Sequence, residues 1–152
     1  MAYAQSVVDL IQERFSCRTY RPQPVDEGTR QRLQVWLTSH PDGPFGSPTR
    51  FELMAADRAN RQALRGFGTY GFIKSPVGFI VGAMGPGEKN LEDFGYAMER
   101  AILFATDLGL GTCWLGGTFT KSAFAQEIAA TAVETVPAIA SVGYEAGEDR
   151  GL

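Results

Sequence analysis

The sequence predicts a mixed β-sheet with helices packed on it, in 152 residues that suit one domain. Three observations lead there. Segments with helical spacing alternate with short apolar segments of strand composition along the whole chain. One of these, Val77-Gly78-Phe79-Ile80-Val81-Gly82-Ala83, is a continuous apolar run between Pro76 and Pro86, as expected of a strand covered on both faces. Residues 91–108 spell a long helix that is apolar on more than one face, a pattern satisfied inside a core or between subunits.

Residues 4–15 form the first expected helix, with Val7, Leu10, Ile11 and Phe15 on one apolar stripe. Ser16-Cys17-Arg18-Thr19-Tyr20 then leads into Pro22 and Pro24, which exclude a helix. A second helix starts near Asp26, a good N-cap, and turns Leu33, Trp36 and Leu37 inward. It stops before residues 41–48, Pro-Asp-Gly-Pro-Phe-Gly-Ser-Pro, a loop by its density of turn formers. Residues 51–56 read as a strand, 59–65 as a short helix and 66–72 as a glycine-aromatic loop. In the long helix Phe94, Ala97, Met98, Ala101, Ile102, Phe104, Ala105 and Leu108 offer more apolar surface than so small a chain easily covers. That predicts a homodimer, with Met98 and Ile102 near the partner. Gly109 and Gly111 end the helix, residues 112–115 form a short strand, Thr120 caps a helix running to about residue 130, and residues 138–144 form the last strand.

A hydrophobic share of 44% and a charged share of 20% are those of an ordinary globular protein. A net charge of −3 gives no electrostatic footprint for nucleic acid. The most apolar stretch, residues 97–105, is broken by Glu99 and Arg100 and falls short of the ~18 uninterrupted residues of a membrane span. Cys17 and Cys113 are the only cysteines. With no cleavable-looking leader they fit a reducing, cytoplasmic setting and read as small semi-buried residues rather than a disulfide.

Side-chain chemistry is scarce. His40, the only histidine, lies in the Ser-His-Pro exit of a helix and reads as an exposed helix-end residue rather than a base. No cysteine pair or carboxylate cluster has metal-ligand spacing, and no P-loop or Gly-x-Gly-x-x-Gly turn follows a strand. Demanding chemistry therefore falls to a cofactor. Two constellations remain. Arg14 and Arg18 can each fork donors onto a phosphate, with the Ser16 hydroxyl beside them; equally, the two arginines can complement a helix C-terminus. Gly109-Leu110-Gly111-Thr112-Cys113-Trp114-Leu115-Gly116-Gly117 lets a flat ligand approach a bare backbone; equally, it is a helix C-cap and a tight turn.

In order, spacing and context, the Arg-x-Ser-x-Arg-x-Tyr segment and the long apolar helix running into Gly-Leu-Gly-Thr-Cys-Trp-Leu-Gly-Gly resemble the nitroreductase-like flavoproteins. Residues 43–47 and 68–74 further resemble a divergent branch of that family. The resemblance implies an α+β fold, a mixed sheet flanked by helices around a long buried central helix. It also implies FMN at a homodimer interface, NAD(P)H as reductant and a nitro-aromatic, quinone or related small-molecule acceptor. Carried over, Arg14, Ser16 and Arg18 hold the phosphate and ribityl chain, and the backbone of Leu115, Gly116 and Gly117 lies against the flavin ring. No side chain is an obligatory acid or base. Two departures stand out. Residues 43–51 lack the Asn and Gln that many relatives use toward the partner's flavin, and the chain stops just after its last strand, as expected of a member lacking the family's C-terminal segment. A flavin-free interaction domain that keeps the fold is the other reading.

Overall fold

The computed structural model describes residues 3–55, 73–117 and 121–147. Within them the chain runs α1 (Val7–Glu13), α2 (Glu27–Ser39), β1 (Thr49–Ala55), β2 (Gly78–Met84), α3 (Asn90–Asp107), β3 (Gly111–Leu115), α4 (Lys121–Glu127) and β4 (Ile139–Gly143). The helix expected at 59–65, the loop at 66–72 and the Thr120 cap lie outside the described residues.

The strands form one sheet in the order β1-β2-β4-β3, and each neighbouring pair is antiparallel. Among the described residues the parallel pairings are two isolated bridges, Ser16 with Thr112 and Thr19 with Lys74. Alternation along each strand divides the core between the two sheet faces. Ile80, Met84, Ala140 and Val142 join Leu33, Trp36, Leu37, Phe94, Met98 and Ile102 under α2 and α3. Phe79, Val81, Ala83, Cys113, Leu115 and Ile139 join Cys17, Tyr20, Phe124, Ile128 and Val136 on the other face. With helices or loops on both sides, every residue of β2 is buried, as its unbroken apolar run predicts.

Helix boundaries follow local chemistry. The Asp26 carboxylate accepts from the Thr29 N–H at 3.2 Å and caps α2. Gly109 adopts φ +85°, and the Leu110 N–H donates to the Ala105 carbonyl at 2.9 Å, closing α3 with a Schellman-type turn. At the other end of α3 the buried Asp93 accepts from the Phe45 and Ser47 N–H groups at 2.7 and 2.8 Å. The departing loop at residues 43–51 is thereby tied to α3.

Three expectations need correction. α1 is shorter than expected, and its stripe is only partly covered: Leu10 is fully buried and Phe15 half-buried, whereas Val7 and Ile11 are 44% and 58% exposed. Met98 and Ile102 are both 0% exposed within this one chain, so neither has surface left for a partner. α3 is covered by the sheet, α1 and α2, which is why it is apolar on several sides. His40 is half-buried rather than exposed: its ring stacks on Trp36 at 3.9 Å between centroids, and its Nδ1 lies 3.2 Å from the Trp36 carbonyl oxygen.

Candidate functional site

Two segments far apart in sequence meet at the sheet edge. β3 is an edge strand, and the chain leaving α1 runs along its start. Arg14 is the C-cap of α1, and its extended backbone (φ −64°, ψ 135°) turns the chain out of the helix. Ser16 then bridges Thr112, and the Cys17 N–H donates to the Thr112 carbonyl at 2.8 Å. Farther on, the Lys74 N–H donates to the Arg18 carbonyl at 2.8 Å and the Tyr20 N–H to the Lys74 carbonyl at 3.1 Å. This extended run buries Cys17 and Tyr20, leaves Ser16 half-buried and exposes Arg18. Tyr20 is anchored by a 2.7 Å hydrogen bond between its hydroxyl and that of Ser141, and burial raises its phenol well above the ordinary range.

Beyond the bridge the edge of β3 opens. Leu115 turns its side chain into the core at 2% exposure, so it offers only backbone to a ligand. Gly116 and Gly117 are exposed, and a Cβ built on either meets no described atom within 4 Å. The open backbone follows a buried strand, so a flat ring can approach it without displacing a side chain. Gly111, at the start of the same strand, is glycine for another reason: a Cβ there would sit 2.8 Å from Cys17 Sγ.

Glu99 borders the candidate site and was missed by the sequence reading. It lies on α3 between the two segments, with Oε1 3.6 Å from Arg14 Nε and Oε2 accepting from Trp114 Nε1 at 3.5 Å. Its signal was available, an acidic side chain followed by Arg100 in the apolar middle of a long helix, but it counted only as an interruption of a membrane span. Behind the junction lies a cavity of about 60 Å³ lined by Arg14, Phe15, Thr106, Gly111 and Thr112, where the buried Thr112 Oγ1 has no hydrogen-bond partner. That space suits water, not a flavin. Among the described residues no group of three or more His, Cys, Asp or Glu could hold a metal ion, and no helix is long and apolar enough to cross a membrane.

A protein-family model described as putative TM nitroreductase matches residues 6–150, nearly the whole chain. The chain belongs to the nitroreductase family. Family membership places it among oxidoreductases. Solved structures share the α+β fold of this chain. A nitroreductase family protein from Clostridium novyi NT is 19% identical with a TM-score of 0.71, over 93% of this chain and 86% of that one. A putative nitroreductase from Desulfovibrio desulfuricans, solved in complex with FMN, is 22% identical with a TM-score of 0.72, over 93% and 87%. A putative NADH oxidase from Clostridium acetobutylicum is 24% identical with a TM-score of 0.69, over 91% and 89%. Among curated proteins none matches this chain.

Proposed function

We propose that this chain binds FMN noncovalently and, as a homodimer, uses NAD(P)H to reduce nitro-aromatic, quinone or related small-molecule acceptors. The observation that carries the reading is the Ser16–Thr112 bridge. It sets a run holding Arg14, Ser16 and Arg18 alongside a strand that ends in two exposed glycines, a charged end and a flat end on one sheet edge. Those residue types fit the two ends of FMN. Arginine forks and a hydroxyl suit a phosphate, and exposed backbone beside Gly116 and Gly117 suits the edge of a planar ring. When bound, FMN supplies two-electron transfer between reductant and acceptor. The chain's own part is to hold and orient the cofactor. The nitroreductase family and the FMN complex of the Desulfovibrio structure support the cofactor assignment, and the oxidase named among the neighbours supports a nicotinamide reductant.

The test is the visible spectrum of the purified protein, alone and with added FMN. Flavin bands that follow the protein and leave as free FMN on denaturation support the reading. A colourless protein that ignores added FMN overturns it in favour of a flavin-free domain. Given binding, Arg14→Ala and Arg18→Ala each weaken FMN affinity about ten- to a hundredfold, the loss of a charge-assisted hydrogen bond. Unchanged affinity in both variants would return the two arginines to helix-end cations.

A further inference from the structure

We propose that Glu99 is a positioning residue of the flavin site, aligning Arg14 for a phosphate while tying it to the strand that carries the ring-facing backbone. The proposal rests on the FMN reading above. One carboxylate reaches both halves of the site. Oε1 stands 3.6 Å from Arg14 Nε, and Oε2 accepts from Trp114 Nε1 at 3.5 Å, one residue before Leu115. Oε1 is also buried without a hydrogen-bond donor, so it is screened from water on the side where Arg14 lies.

The chemistry follows from the shape of the guanidinium. Engaging Nε with Glu99 leaves both terminal NH2 groups of Arg14 to grip a phosphate, and it restricts a side chain that otherwise samples many rotamers. An ion pair as exposed as this one, 29% for Arg14 and 38% for Glu99, contributes little to folding. Its consequence is directional. α3 is clamped in the core through Met98 and Ile102 on either side of Glu99, so the carboxylate is a fixed point against which a mobile arginine is set.

The test compares FMN with riboflavin, which has the same ring and ribityl chain but no phosphate, by quenching of flavin fluorescence on titration with protein. Glu99→Gln keeps an acceptor for Trp114 and removes the charge facing Arg14. It should weaken FMN about fivefold and leave riboflavin unchanged. In an Arg14→Ala background the same substitution should have no further effect, because the partner it acts through is gone. If Glu99→Gln does not fold, Glu99→Asp, which withdraws the carboxylate by one methylene, should show the same selective loss. Equal loss for both flavins, an undiminished loss in the Arg14→Ala background, or no loss at all overturns the proposal. Wild-type protein that binds neither flavin is a separate result, and it removes the FMN reading itself.

Discussion

Two carboxylates show how a single side chain sets local structure. Hydrogen bonds from the Thr29 hydroxyl, the Tyr144 hydroxyl and the Thr29 N–H hold the Asp26 carboxyl down to about 2 from an ordinary 3.8. A group whose folded value lies below its unfolded value stabilises fully above the unfolded value and loses that contribution as pH falls through the folded one. Asp26→Ala should therefore lower the melting temperature at neutral pH, and the gap from wild type should narrow as pH falls from about 4 toward 2. A gap constant across that range would leave Asp26 without a charge-dependent role. Asp93 also sits below the ordinary range. Burial pushes it up, but the hydrogen bonds from the Ser47 side chain and the Phe45 and Ser47 N–H groups outweigh burial. Gly43 passes so close that a Cβ would collide with Asp93 Cα and Cβ, and backbone cannot move aside as a side-chain tip can. Gly43→Ala should cost about 1–3 kcal/mol, read as a shift in the urea midpoint, whereas a glycine needed only for flexibility would cost less. Asp26 was legible as a cap because it acts three residues away. Asp93 was not, because its partners lie 46 and 48 residues back in the chain.

Among the elements, α2 and α3 were readable from helical spacing, and β2 and β4 from short apolar runs of strand composition. α1 shows the limit of that reading. Spacing tells which residues share a helix face, not how deep the contact beneath them runs: of its stripe only Leu10 is fully buried, and Phe15, past the helix end, is half-buried against the core. The connection from α4 to β4 was equally opaque, since it is held by long-range pairing. Met84 and Thr135 exchange backbone hydrogen bonds at 2.9 Å, and Arg50 of β1 donates to both Glu134 carboxylate oxygens, at 2.9 and 3.1 Å, and to the Ile128 carbonyl at 2.9 Å. The Arg50 hydrogen bond lowers the Glu134 carboxyl, so this contribution holds above the ordinary glutamate range and fades as pH falls below it. Because the arginine is partly exposed, Arg50→Ala should cost only about 1 kcal/mol in the urea midpoint at neutral pH, with a smaller cost at acid pH. A loss unaffected by acid would assign the stabilisation to packing of the arginine stem rather than to its charge.

At the scale of the molecule, the resemblance identified the family where residue chemistry left two readings open for each segment. What spacing could not give was their meeting: Ser16 and Thr112 lie 96 residues apart, and only the fold puts them side by side. The same scale corrects the inference drawn from α3. Counting apolar positions on one helix assumes a single layer beneath it. α3 instead lies between the sheet and two helices, with Phe51 and Phe94 packed 5.2 Å apart at one end and Trp36 and Phe104 stacked at 4.2 Å at the other. Met98 sits between those aromatic contacts at 0% exposure. Met98→Ala should therefore cost about 2–5 kcal/mol in unfolding free energy, the range for opening a cavity in a packed core. It should leave unchanged whatever self-association the wild type shows in sedimentation, since a residue without surface makes no contact with a second copy. The two measurements separate the possibilities. A variant that dissociates more readily while its urea midpoint holds would place Met98 at a subunit contact and reopen the view that α3 is covered from outside. A lowered midpoint with unchanged association places any contact between copies elsewhere on the surface.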